Sequence, residues 1–270
     1  LFAVTGIIFR NTVLGGINAV IYTDNIQWII LLSGLFLLGL PFAYVKIGGW
    51  QALQQLPPEF FTLTNIKPAQ FINWFVTIVP IWFIAMTLYQ RIYASKNVKE
   101  AQKAWFIAGL FEYPVIAFIG VTLGMMARIQ FPNVEPEMGL PMLIKSALPI
   151  GVTGVVIASY FSAIMSTADS CLIASSGNVV NDIIERYSKK KWSHKKLMTL
   201  SQIVTLIIGV LTLLIAASFQ SVLEIILHAY AFMVAGLFVP TFVALTRPTV
   251  NTTAAIWAMG AGGLFVLFSI

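Results

Sequence analysis

SYFSAIMSTADSCLIASS, Ser159 to Ser176, sits inside an apolar run that extends from Pro149 to about Val180. A run of that length exceeds an ordinary core helix and matches a membrane span. On a helix, Ser159, Ser162, Ser166, Asp169 and Ser170 fall at i, i+3, i+7, i+10 and i+11, on one face. At about 1.5 Å per residue, Ser166 is roughly 24 Å from either end of the run, close to a bilayer midplane. Asp169 follows one turn later. A carboxylate and several hydroxyls at that depth are costly unless they line a cavity or hold a cation. Oxygen donors of this kind suit a hard cation such as sodium.

The rest of the chain has the same character. Of its 270 residues, 59% are hydrophobic and 10% charged, and the mean hydropathy is +0.88. Soluble domains carry about 25% charged residues, so the composition is that of an integral membrane protein. Long uncharged stretches point to spanning helices rather than the alternating strands of a barrel. The single cysteine, Cys171, lies in the polar stretch and has no disulfide partner; with only two histidines, Cys/His metal chemistry is disfavoured. Residue 1 is Leu, with no signal peptide before it, and the last residues are apolar. The sequence thus reads as a piece of a longer protein.

Apolar periodicity and breakers divide one transmembrane domain, 1–270, into segments. Residues 1–9 read as the end of a helix, followed by a Gly-containing link over 10–18. Spanning helices are expected over 19–45, 69–89, 101–127, 149–182, 197–217 and 222–245, with a truncated helix over 252–270. That makes about six full spans plus partial ones at both ends. Pro80 falls at the centre of 69–89 and predicts a kink or opening there. A short amphipathic piece, 142–148, precedes the polar helix.

The basic residues alternate between loops. One alternate set of loops holds twelve, chiefly within 91–103 and 186–196; the other holds four, Lys46, Lys67, Arg128 and Lys145. The bias assigns loops 91–103 and 186–196 to the cytoplasm. The net charge of +6 therefore follows membrane orientation and requires no nucleic acid. In this topology Asp24 and Asp169 lie at compatible depths in the inner half; spacing does not decide whether their helices touch.

Each candidate has a functional and a structural reading. Ser166 and Thr167 would supply two hydroxyls to a cation, or simply bond their own backbone. Asp169 on the same stripe strengthens the first reading. Glu112, about 11 residues into its helix, sits near the midplane, where a solute or proton role is the default. Glu224 and His228, four apart, would pair on one helix face. Trp74, Trp82 and Trp105 read as packing or interface anchors. The sequence has no Gly-rich phosphate loop, metal-ligand motif or Ser/His/Asp arrangement, so an enzyme has little support.

Three stretches resemble the sodium/solute symporter family, the group that includes sodium/sugar, proline and pantothenate symporters. GGINAVIYTDNIQ (Gly15–Gln27) is similar to the start of its fifth helix, YQRIYASKNVKEAQKAW (Tyr89–Trp105) to its linker after the sixth, and FSAIMSTADSCLIASSGNVVNDI (Phe161–Ile183) to its eighth-helix signature. The resemblance runs through nearly the whole chain, in order. It implies an all-α, LeuT-type bundle of two inverted five-helix repeats, present here incompletely, with sites near the midplane at broken helices. Pro80 would then lie in the first helix of a repeat, where the family's discontinuity falls.

The resemblance also implies a ligand set. Ser166, Thr167 and the carbonyl of Ala163 would serve the family's common sodium (Na+) site, completed by a helix outside this stretch. Asp24, Ser166, Asp169 and Ser170 would hold a second sodium, although Asp169 replaces an expected serine. On the solute side, sugar carriers place polar or aromatic contacts where this chain has Ile78 and Ile81, a lysine at Glu112 and a glutamine at His228. These departures argue against a sugar, and Glu112 favours a cationic group. The implied function is sodium-coupled symport of a small organic solute by alternating access. The alternatives are the sensor domain of a transporter-like histidine kinase, and a membrane enzyme using Asp169 or Glu112 as its acid/base.

Overall fold

A spanning segment surrounded by lipid must satisfy every backbone N–H and C=O within itself, and this chain does so by α-helix. The computed structural model describes residues 2–62, 64–188, 192–218, 221–247 and 249–269. Seven helical stretches among them are long and apolar enough to cross a membrane. α1 covers residues 2–47, as α-helix over Phe2–Leu31, π-helix over Leu32–Gly39 and α-helix again over Leu40–Ile47. α2 is Pro68–Tyr93, α3 Val98–Gln130, α4 the shorter Pro136–Ala147, α5 Ile150–Glu185, α6 His194–Ala216, α7 Val222–Thr246 and α8 Thr252–Ser269. The chain forms two compact units: Leu1–Pro57 with Ser95–Ser218, and Pro58–Ala94 with Phe219–Ile270.

In the first unit α1 packs along α5, and α6 lies against both. The approach of α1 to α5 is set by a glycine. A Cβ on Gly34 would stand 1.7 Å from Ser159 Oγ, so only hydrogen fits there. Ser159, fully buried, donates from its hydroxyl to Ile30 O across the helix pair at 2.7 Å and to Val155 O at 2.8 Å. A second core gathers Ala43, Leu53, Leu56, Ile119, Leu123, Met126, Ala127 and Leu143, joining the end of α1, the second half of α3 and α4.

In the second unit α2 is not continuous. Its helix runs Pro68–Ile78, resumes for Ile81–Ile84, and starts again at Met86. The opening at Val79–Pro80 is the one that Pro80 predicts, since proline lacks the N–H of the ladder. The second break is at Ala85, whose ψ of 110° is extended. Tyr89 Oη donates to Phe83 O at 2.8 Å, supplying a donor to a carbonyl beside that break. No sequence signal marks Ala85. α7 and α8 meet at a Gly contact, where a Cβ on Gly262 would stand 2.0 Å from Ala235 O.

Two boundaries differ from expectation. The link expected over 10–18 is helical, within the continuous Phe2–Leu31. Gly15 and Gly16 lower helix propensity by about 1 kcal/mol each, which is less than the cost of leaving backbone groups unsatisfied in lipid. The amphipathic piece expected over 142–148 begins earlier, at Pro136, where proline suits the first helical turn. The segment over 252–270 contains the 18-residue helix Thr252–Ser269. Of the basic loop 186–196, Lys189, Lys190 and Lys191 lie outside the described residues, as do Leu1 and Ile270 of the terminal segments.

Candidate functional site

Two side chains far apart in sequence make the central contact. Ser166 Oγ, on α5, donates to Asp24 Oδ1, on α1, at 2.6 Å. The two polar helices therefore do touch. Around this contact lies a cavity of ≈ 740 Å³ whose walls include Asp24, Gln27, Glu112, Ala163, Ser166 and Thr167. α1, α3 and α5, all of the first unit, build it.

The local reasons are readable. Asp24 and Gln27, three residues apart, share one face of α1. Ala163, Ser166 and Thr167 share the cavity face of α5, and Thr167 Oγ1 points back to Ala163 O at 3.4 Å, a long contact that a better partner would replace. α3 turns to π-helix over Glu112–Ala117. Pro114 lies within that segment and has no N–H to give an α-helical bond, so the wider turn brings Glu112 to the wall. Trp28 and Phe111 close one side, edge to face, at 5.7 Å and 77°.

The four residues named for the second sodium divide. Asp24 and Ser166 are joined, whereas Asp169 and Ser170 are not among the residues lining the cavity. Ser170 Oγ donates to Ser166 O at 2.7 Å, the backbone bonding typical of serine in spanning helices. Asp169 is fully buried. Glu112 is exposed to the cavity. His228 belongs to the other unit, where its Nδ1 lies 2.9 Å from the backbone oxygen of Glu224; the expected side-chain pairing gives way to this contact one turn back. Ile81 is buried and Ile78 exposed within that same unit.

Reading the sequence passed over Gln27 and Trp28 as wall residues. The signal was present for Gln27, one helical turn beyond Asp24, but a glutamine carries no charge to draw notice. Among the described residues, no cluster of three or more His, Cys, Asp or Glu side chains could hold a transition metal. The oxygen-bearing side chains at this cavity carry hydroxyls, an amide and carboxylates, the donor set of a hard monovalent or divalent cation.

Known proteins share both the sequence and the fold. The chain is 24% identical to the sodium/glucose cotransporter 4 of Mus musculus, over 93% of this chain and 43% of the relative. It is 30% identical to the sodium/sialic acid symporter NanT of Aliivibrio fischeri, over 74% of this chain and 43% of the relative. It spans less than half the length of these curated relatives, both of which are transporters. A solved sodium-coupled sialic acid symporter, captured with substrate in an outward-open state, superposes with a TM-score of 0.70 at 20% identity, covering 98% of this chain and 64% of that one. The fold is thus the all-helical LeuT-type bundle that the resemblance implied. The sequence profile of the sodium:solute symporter family matches residues 1–262, and the chain belongs to that family.

Proposed function

We propose that the protein carrying this chain couples the movement of sodium down its gradient to the uptake of a small organic solute, by alternating access. The observation that bears most weight is the 2.6 Å bond from Ser166 to Asp24 at the wall of a cavity that Ala163 and Thr167 also line. Carboxylate and hydroxyl side chains from two helices line it, with Ala163 beside them. A sodium ion taken up among them would strengthen the tie between α1 and α5 in one conformation more than in another. That difference in affinity is all that coupling requires, with no covalent step.

Glu112, on the same cavity wall, is the proposed solute contact. Its carboxylate accepts hydrogen bonds from sugar hydroxyls and stronger, charge-paired ones from an ammonium group, so it favours donor-rich solutes, amines foremost. The exclusion of sugars drawn from Ile78, Ile81, Glu112 and His228 gains no support from a family that contains a sodium/glucose cotransporter. Nothing favours the kinase-sensor reading or an enzyme. The protein is a multi-pass membrane protein, with loops 91–103 and 186–196 proposed to face the cytoplasm on their basic charge.

The test is uptake into vesicles by the full-length protein, with and without an inward sodium gradient, across labelled amines, amino acids, carboxylates and sugars. Uptake that requires sodium, with the half-saturating sodium concentration raised about tenfold or more in Ser166→Ala/Thr167→Ala, is the expected result; tenfold corresponds to about 1.4 kcal/mol of lost ligand energy. Sodium-independent uptake with an unaffected double variant would reduce Ser166 and Thr167 to packing hydroxyls.

A further inference from the structure

Gln27 is 8% exposed, and its side-chain oxygen Oε1 has no hydrogen-bond partner. Polar atoms buried this deeply are nearly always bonded, and an orphan costs about 1–3 kcal/mol. The side chain is also at the wall of the cavity that holds Asp24, Ser166 and Thr167. A buried, unbonded acceptor on a side chain at this wall has no reason to be there for packing, since leucine or methionine would fill the same volume without the penalty. We propose that Gln27 Oε1 is an oxygen ligand of the transported cation, acting together with Asp24 one turn away on α1. This rests on the sodium-coupled reading of the same cavity.

The chemistry selects a cation over an anion or an apolar group. With Glu112 left to the solute, the oxygens proposed for the ion are all acceptors toward a cation: the Asp24 carboxylate, the Ala163 carbonyl, the Ser166 and Thr167 hydroxyl lone pairs, and now an amide carbonyl. A neutral amide oxygen beside one carboxylate adds a ligand without adding charge. The site can then hold a monovalent ion without binding it too tightly to release, and remains less attractive to a divalent ion than a pair of carboxylates would be. Gln27 therefore sets ion affinity and the preference for sodium over lithium or calcium.

The experiment is direct binding of 22Na+ to the purified full-length protein, in choline chloride and with no solute present. The variants are Gln27→Met, which keeps the volume and removes the oxygen, and Gln27→Glu, which keeps an oxygen and adds charge. Ser166→Ala/Thr167→Ala is measured alongside. The expected result is a Kd for sodium raised about tenfold in Gln27→Met, the loss of one ligand's contribution. Gln27→Glu should restore sodium binding and make calcium a stronger competitor than in the parent. An unchanged sodium Kd in Gln27→Met, with Ser166→Ala/Thr167→Ala weakened, overturns the Gln27 assignment and leaves the sodium reading standing. No saturable sodium binding by the parent protein overturns both. If Gln27→Met fails to fold, Gln27→Glu decides alone: unaltered competition by calcium overturns the proposal.

Discussion

Asp24 and Ser166 are 142 residues apart and meet at 2.6 Å. The carboxylate orients the serine hydroxyl, and the serine holds the carboxylate at the cavity wall, so each matters through the other. Replacing Asp24 by Asn keeps an oxygen acceptor for Ser166 but removes the charge; replacing it by Ala removes both. If the charge binds the ion, Asp24→Asn should already raise the half-saturating sodium concentration about tenfold, with little further loss in Asp24→Ala. If the hydrogen bond alone matters, Asp24→Asn should behave like the parent. Sodium titration of uptake separates the two. The polar stripe of α5 was legible in the sequence because a carboxylate and four serines on one face of an apolar helix have few ordinary explanations. Its meeting with Asp24 was not, because helix periodicity gives the face a residue occupies and says nothing of the neighbour across from it. For the same reason the bond that occupies Ser170 was invisible: a serine four residues after a carbonyl is common in any helix.

At the scale of the helix, spans and their order followed from hydropathy, and the opening of α2 at Pro80 followed from proline. The break at Ala85 and the π turns did not, since they arise from packing rather than from a residue type with a fixed backbone preference. The Gly34–Ser159 contact is the clearest packing constraint. Gly34→Ala would drive a Cβ to 1.7 Å from Ser159 Oγ and 2.5 Å from its Cβ. The helices must part or shift, at a cost of about 1–3 kcal/mol. Ser159→Gly removes both clashing atoms, so the double variant should recover most of the thermal stability lost in Gly34→Ala. Thermal unfolding of the purified protein in detergent checks this, and an unshifted midpoint in Gly34→Ala would mean that the helices are not held at this distance.

For the molecule as a whole, the alternation of basic loops predicts which end of each helix meets the cytoplasm. In a Cys171→Ser background, cysteine introduced by Lys96→Cys should react with an impermeant maleimide only from the cytoplasmic face, and by Glu135→Cys only from the opposite face. Both positions are exposed. Labelling of inverted and right-side-out vesicles reads the result directly, and reversal of the pattern would invert the whole topology. Four of the seven spans, α1, α3, α5 and α7, also contain a π segment. A π turn accommodates one residue more than the α-helix around it needs. Deleting a single residue there lets the ladder close as α-helix while both flanks keep their phase; the same deletion elsewhere in a span rotates everything beyond it by about 100°. Single-residue gaps between distant homologues should therefore collect at 32–39, 112–117, 178–185 and 234–238, so that these helices can change length in evolution without losing their alignment.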